Sequence, residues 1–140
     1  TDAFFGEKDF QQLRIIEDMT RVMNYDINII PCKIIREPNG LAMSSRNEYL
    51  SLEDRDKAQI IFETLQLGIK LINNGEKQIS NIYNILIEKI SSNSKFSIDY
   101  IRIVDYESLI EFSDMIGNDF IICIAVYIEN IRLIDNIHNQ

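Results

Sequence analysis

The stretch Phe5-Gly6-Glu7-Lys8-Asp9-Phe10-Gln11-Gln12-Leu13, with the helical pattern and the isoleucine run that follow it, decides the fold class. Gly6 to Asp9 reads as a loop feeding a helix. From Gln12 onward, Leu13, Ile16, Met19, Val22 and Met23 recur at helical spacing. Tyr25-Asp26 ends that helix. Ile27 to Ile30 is a short aliphatic run of the kind that forms a buried strand, and Ile34-Ile35 offers another. A helix leading into a buried strand is half of a βαβ unit. Residues 1–40 are therefore expected to be the end of a parallel-sheet, α/β domain.

Downstream the pattern changes. Pro38-Asn39-Gly40 is a turn signal, and a domain boundary is expected there, leaving 41–140 as a second domain. Ser51 precedes an acidic first turn and reads as an N-cap, with Asp54 three residues on. The helix it starts carries Ala58, Ile61, Phe62, Leu65, Ile69 and Ile72 on one side, and Asn73-Asn74-Gly75 stops it. A second helix runs from Ile79 to Ile90 with Ile82, Ile85, Leu86 and Ile90 as its stripe. Ser97 to Val104 alternates as a strand, Phe120 to Ile128 is a central strand, and Glu129-Asn130 makes a tight turn into Ile131 to Ile134. The expectation for 41–140 is an α+β domain of helices and antiparallel sheet.

Composition narrows the function classes. At 140 residues and 46% hydrophobic, the chain can bury a core without staples. A net charge of −8 argues against a general nucleic-acid binder or a protein of acidic membrane surfaces. The two cysteines, Cys32 and Cys123, are far apart and lack a CxxC spacing, so neither a disulfide scaffold nor a metal site is expected. Reduced thiols suit a cytoplasmic protein. The longest apolar stretch, Phe120 to Ile128, is too short to span a membrane, and no signal-peptide pattern is visible. The chain opens Thr1-Asp2-Ala3 and reaches a motif at once, so sequence is expected upstream.

Two strings carry chemistry. In Gly6-Glu7-Lys8-Asp9, a glycine lets backbone N–H groups approach an anion, Lys8 offers a mobile point charge, and Asp9 can hold a ribose hydroxyl or position Lys8. Gln12 lies one turn after Lys8, on the same face. Read alone, the string is equally an ordinary charged helix start with Lys8 in solvent. In Met43-Ser44-Ser45-Arg46, two hydroxyls and a guanidinium form a phosphate cradle, suited to charge building on a pyrophosphate leaving group. Read alone, this is equally a polar turn before a helix. The isoleucine stripes read as core, and His138 as a solvated tail residue.

Taken in order, FGEKDFQQL and REPNGLAMSSRN closely resemble the pantothenate synthetase (pantoate–β-alanine ligase) family. Asn47, Tyr49, Leu50, Arg55, Ala58 and the ending Arg132-Leu133-Ile134-Asp135-Asn136 extend the resemblance over nearly the whole chain. It implies an enzyme of coenzyme A precursor biosynthesis that uses ATP and Mg²⁺ to activate pantoate as an acyl adenylate. β-Alanine then attacks, giving pantothenate and AMP. It also implies a Rossmann-like nucleotide-binding domain followed by a smaller lid domain, and a homodimer. On this reading the chain is the C-terminal portion. The family's HIGH-like histidine motif, an acidic Mg²⁺ contact and a second pantoate glutamine would lie upstream, and the chain alone is expected to be inactive.

By motif, Gly6, Glu7, Lys8 and Asp9 resemble the ATP-binding loop, with Lys8 reaching phosphate and the reacting acyl group. Gln12 matches a pantoate-binding glutamine, and Ile35 sits where the backbone meets adenine. Met43, Ser44, Ser45 and Arg46 match the family's counterpart of the KMSKS loop, with Ser44, Ser45 and Arg46 joining Lys8 as expected catalytic residues. Two departures stand out: Pro31-Cys32-Lys33 replaces a usual Gly-Val-Pro, and Glu129 replaces a common glycine. Only local structural changes are expected from them. Competing readings are a non-catalytic binding or dimerisation module and a related nucleotidyltransferase acting on another substrate.

Overall fold

The structure, a computed structural model, describes residues 1–139. It divides into two compact units, Thr1–Ile35 and Arg36–Gln140. The Pro38–Gly40 turn, where the sequence places a boundary, falls inside the second unit.

The first unit is a complete βαβ. Strand β1 (Asp2–Gly6) leads through a 3-10 turn (Glu7–Asp9) into helix α1 (Phe10–Val22), which returns to strand β2 (Asn28–Cys32). The strands pair in parallel, with Asp2 opposite Asn28 and Gly6 opposite Cys32. Helix α1 buries Phe10, Leu13 and Thr20. It ends in a Schellman arrangement: Asn24 takes φ 53°, its N–H donates to the Arg21 carbonyl, and the Tyr25 N–H donates to the Thr20 carbonyl.

Three expectations fail here. β1 is a strand that the sequence reading passed over. Ile34-Ile35 forms none. β2 is not a buried strand, because only Ile29 within it is partly covered. The stripe of α1 is likewise half open, with Val22 81% and Met23 55% exposed. A two-stranded sheet with one helix has too few layers to cover both faces of an isoleucine strand.

The second unit is built on an antiparallel sheet of β3 (Phe96–Asp105), β4 (Phe120–Ile128) and β5 (Ile131–His138), with β4 central. Helices α2 (Leu52–Lys57), α3 (Gln59–Asn73) and α4 (Ile79–Ser91) precede it. Phe120, Ile122, Ile124, Val126 and Ile128 alternate along β4 and join Ile61, Leu65, Ile72, Ile82, Leu86 and Ile90 in one core. Gly68 lets α3 press close. A Cβ there would lie 2.7 Å from Ile122 Cδ1 and 3.4 Å from Leu86 Cδ1.

The caps follow the sequence. Ser51 Oγ accepts from the Asp54 N–H at 3.0 Å. Gly75 closes α3 at φ 103°, its N–H on the Ile72 carbonyl and the Glu76 N–H on the Leu71 carbonyl. The single helix expected from Ser51 to Ile72 is two, broken at the buried Ala58. His138 is not a solvated tail residue. It ends β5, stacks on the Tyr106 ring at 3.7 Å between centroids and lies 2.6 Å from Asp119 Oδ1. Cys32 and Cys123 are both free, and burial pushes the Cys123 thiol up to about 12. No helix among the described residues is long and apolar enough to cross a membrane.

Candidate functional site

In the first unit, Gly6 is the last residue of β1, and Glu7, Lys8 and Asp9 form the 3-10 turn before α1. Ile35 lies three residues beyond the end of β2 and is 69% exposed. Both segments therefore leave the carboxyl ends of adjacent parallel strands, the edge at which open α/β sheets take ligands. Gly6 has φ −73° and ψ 131°, and a Cβ there would meet nothing within 4 Å. Its backbone shape does not demand glycine, so what glycine gives here is open access to the N–H groups of the turn. Asp9 stands at the N-cap of α1 without capping it through its side chain. Gln12, in the first turn of α1, is exposed.

In the second unit, Ser44, Ser45 and Arg46 sit on a short 3-10 turn (Ser45–Tyr49), with Met43 51% exposed before it. Ser44 Oγ accepts from the Arg46 N–H at 3.3 Å, and the Ser44 carbonyl accepts from the Asn47 N–H at 3.0 Å. The approach to this turn is itself a tight turn. The Gly40 N–H donates to the Glu37 carbonyl at 2.8 Å, and the Glu37 N–H donates to the Leu41 carbonyl at 2.8 Å. Gly40 takes φ 93° and lies against Phe62, whose Cδ1 would be 2.5 Å from any Cβ added there. Only glycine meets both conditions.

The charges around this turn are sorted. Arg36 grips Asp135 with two bonds of 2.6 and 3.0 Å while its guanidinium lies 3.9 Å over the Phe62 ring. The Asp135 side chain is only 2% exposed, so this is a buried bidentate pair. Arg55 donates Nε and Nη2 to Glu37 at 2.8–3.1 Å. That bond holds the Glu37 carboxyl below its ordinary range and the Arg55 guanidinium above its own. Arg132 donates to Asp99 at 2.9 Å. Arg46 differs. Its guanidinium reaches the Arg132 carbonyl at 3.4 Å, and among the described residues it makes no ion pair. A guanidinium without a counter-charge among the described residues, on a capped turn that also carries two hydroxyls, suits an anion.

The structure thus places Gly6, Glu7, Lys8, Asp9, Gln12 and Ile35 in one unit, and Met43, Ser44, Ser45 and Arg46 in the other. Sequence reasoning passed over Glu37 and Asp135, the two acids that neutralise the arginines flanking the turn. Asp135 had a signal: a lone carboxylate in an apolar strand requires a partner.

A sequence profile of the family described as pantoate-beta-alanine ligase matches residues 1–138. The chain belongs to the pantoate–β-alanine ligase family. Pantothenate synthetase of Clostridium acetobutylicum is 48% identical over 134 residues, which are 96% of this chain and 47% of the relative. The crystal structure of the Thermus thermophilus pantothenate synthetase superimposes with a TM-score of 0.90 at 32% identity, covering 99% of this chain and 50% of that one. The Francisella tularensis pantoate-beta-alanine ligase, solved in complex with beta-gamma ATP and beta-alanine, matches with a TM-score of 0.64 at 26% identity over 99% of this chain and 43% of its own. The chain therefore spans about half the length of the curated relatives it matches. These figures say how much of each relative is matched, not which end, and give the expected C-terminal placement no support.

Proposed function

We propose that the chain is part of an ATP-dependent ligase that joins pantoate to β-alanine. Pantoate carboxylate oxygen bonds to the α-phosphorus of ATP as the α–β anhydride breaks and pyrophosphate leaves. The β-alanine amine then attacks the acyl carbon, the adenylate C–O bond breaks with its electron pair leaving on AMP, and the amine proton is lost. The observation that carries this reading is the Arg46 guanidinium, which makes no ion pair among the described residues, on the same turn as Ser44 and Ser45, in a chain that belongs to this family.

On this reading Arg46, Ser44 and Ser45 hold the triphosphate and stabilise charge on departing pyrophosphate. Met43 flanks them. Gly6, Glu7, Lys8 and Asp9 form the second ATP contact, Lys8 reaches phosphate and acyl oxygen, Gln12 orients pantoate, and Ile35 offers its backbone to adenine. Catalysis is by positioning and charge, with no covalent nucleophile on the enzyme. Mg²⁺ is expected to accompany ATP, but the described residues contain no group of three or more His, Cys, Asp or Glu fit to hold a metal. The first unit acts as part of a Rossmann-like nucleotide-binding domain and the second as a lid. The full-length protein is a cytoplasmic homodimer.

The test is AMP release from ATP, Mg²⁺, pantoate and β-alanine, by this chain alone and combined with the half of the Clostridium relative that it does not match. Activity only on combination is the expected result. No activity, with both halves folded and associated, would overturn the ligase reading in favour of a non-catalytic module.

A further inference from the structure

The Ser45–Tyr49 turn is held from one side by a single carboxylate. Glu37 Oε1 accepts from Asn47 Nδ2 at 2.8 Å and from Arg55 Nη2 at 2.8 Å, and Oε2 accepts from Arg55 Nε at 2.9 Å. Asn47 is 1% exposed and immediately follows Arg46. Its Nδ2 also donates to the Ala42 carbonyl at 3.1 Å, and its backbone N–H to the Ser44 carbonyl at 3.0 Å. Asn47 therefore ties the chain on both sides of Met43, Ser44, Ser45 and Arg46.

The orientation of that amide is fixed from its nitrogen alone, because Asn47 Oδ1 is buried without a hydrogen-bond partner among the described residues. Both groups facing Nδ2 must be pure acceptors. A backbone carbonyl meets that requirement, and so does an ionised Glu37. A glutamine at 37 would not. It has one acceptor oxygen for Asn47 and Arg55 together, and its own N–H₂ would face a donor. Arg55, anchored in α2, fixes where the carboxylate stands.

We infer that Glu37 is a positioning residue for ATP, holding Asn47 and through it the Ser44–Arg46 turn in the shape that presents Arg46 to phosphate. This rests on the reading of that turn as a phosphate clasp, and it gives Glu37 a task distinct from binding. The carboxylate is spent on Asn47 and Arg55 and is not a ligand for substrate.

The experiment measures initial rates of the full-length protein with ATP varied and the other substrates saturating, for E37Q, R46A and the E37Q/R46A double variant. R46A is expected to raise KM for ATP roughly tenfold or more through loss of a charge-assisted contact. E37Q is expected to raise it about tenfold by misplacing the turn, with KM for β-alanine within about twofold. Because Glu37 acts through the turn, the double variant should be no worse than R46A alone. A multiplicative double variant would mean that Glu37 supports the fold generally, and would overturn the inference. So would E37Q within about twofold of the parent while R46A is impaired. R46A itself near the parent would instead sink the phosphate-clasp reading, and the inference with it. Should E37Q fail to fold, R55Q serves. Arg55 is 40% exposed, and its loss leaves the Glu37–Asn47 bond in place. A smaller rise in KM for ATP is then expected, and no change would overturn the inference.

Discussion

The two units carry motifs of similar chemistry on very different supports. In the second, Ile61, Leu65, Ile82, Leu86, Ile103, Ile122 and Ile124 are at most 1% exposed, and the phosphate-type turn is tied down by Glu37, Asn47 and the cap of Ser44. In the first, much of the apolar stripe of α1 and of the isoleucines of β2 stands open, and the Gly6–Asp9 turn makes no side-chain cap to α1. The difference teaches that the second unit holds its turn through its own contacts. The first is apolar in the pattern of a domain interior without having a domain's layers.

The largest expected effect tests that contrast at its polar centre. Asp135→Ala leaves Arg36 without its carboxylate, and removing one partner of a buried pair costs about 3–5 kcal/mol. Leu86→Ala, in the apolar core, is expected to cost about 2–5 kcal/mol. In the first unit, Val22→Ala should fall within about 0.5 kcal/mol of the parent, because that side chain is already in solvent. Denaturant unfolding checks all three, followed by tyrosine fluorescence for the second unit, which holds five of the six tyrosines, and by far-ultraviolet circular dichroism for helix α1 of the first. A Val22 variant as costly as the Leu86 one would break the comparison.

Next comes pH. The Glu37 carboxyl is depressed in the folded protein, first by its bond from Arg55 and also by Asn47, against the opposing effect of burial. Asp54 is depressed first by its bond from Lys95, then by Ser51. A depressed carboxylate contributes stability that is fully present above its unfolded value, about 4 for Asp and Glu. That stability is lost as pH falls through the folded value. The second unit should therefore weaken in acid below about pH 4. Glu37→Gln should flatten part of that loss, and an unchanged acid dependence would show that the Glu37–Arg55 bond is not formed in solution.

What was legible in the sequence divides along the same line. Ser51, Gly75 and the continuous apolar run Phe120–Ile128 are local signals, and each landed where its pattern placed it. Strand β1 was not legible because five residues, Asp2 to Gly6, carry no period long enough to read; pairing with Asn28–Cys32 makes them a strand. Nor could the isoleucines of β2 reveal their exposure, since an apolar run states a preference for cover without saying what supplies it. Ala58 breaks a helix whose hydrophobic stripe runs on unbroken. At the candidate site, the residue types of Ser44, Ser45 and Arg46 were readable. What makes Arg46 distinctive was not, because it depends on Arg36 finding Asp135, 99 residues away, and Arg132 finding Asp99.

A smaller gain, of opposite sign to the losses in the core, is expected from strain kept by the better-packed unit. The β4–β5 hairpin turns at Glu129-Asn130, and Glu129 sits at φ 56°. In the first unit the corresponding left-handed position belongs to Asn24, a residue type that tolerates it. A glutamate there crowds its Cβ against the following carbonyl, at a cost of about 1–2 kcal/mol. Glycine removes that cost but gives back some in unfolded-chain entropy, about 0.4–1 kcal/mol. Glu129→Gly is therefore expected to raise stability by about 0.5–1 kcal/mol. The Glu129 N–H bond to the Lys95 carbonyl is a backbone bond and survives the change. Asn130→Gly is the control. Its φ is not in the left-handed region, so glycine there brings only the entropic loss and should destabilise. If both glycines destabilise alike, the turn in solution does not hold Glu129 in the left-handed region, and the departure from a common glycine at this position carries no strain.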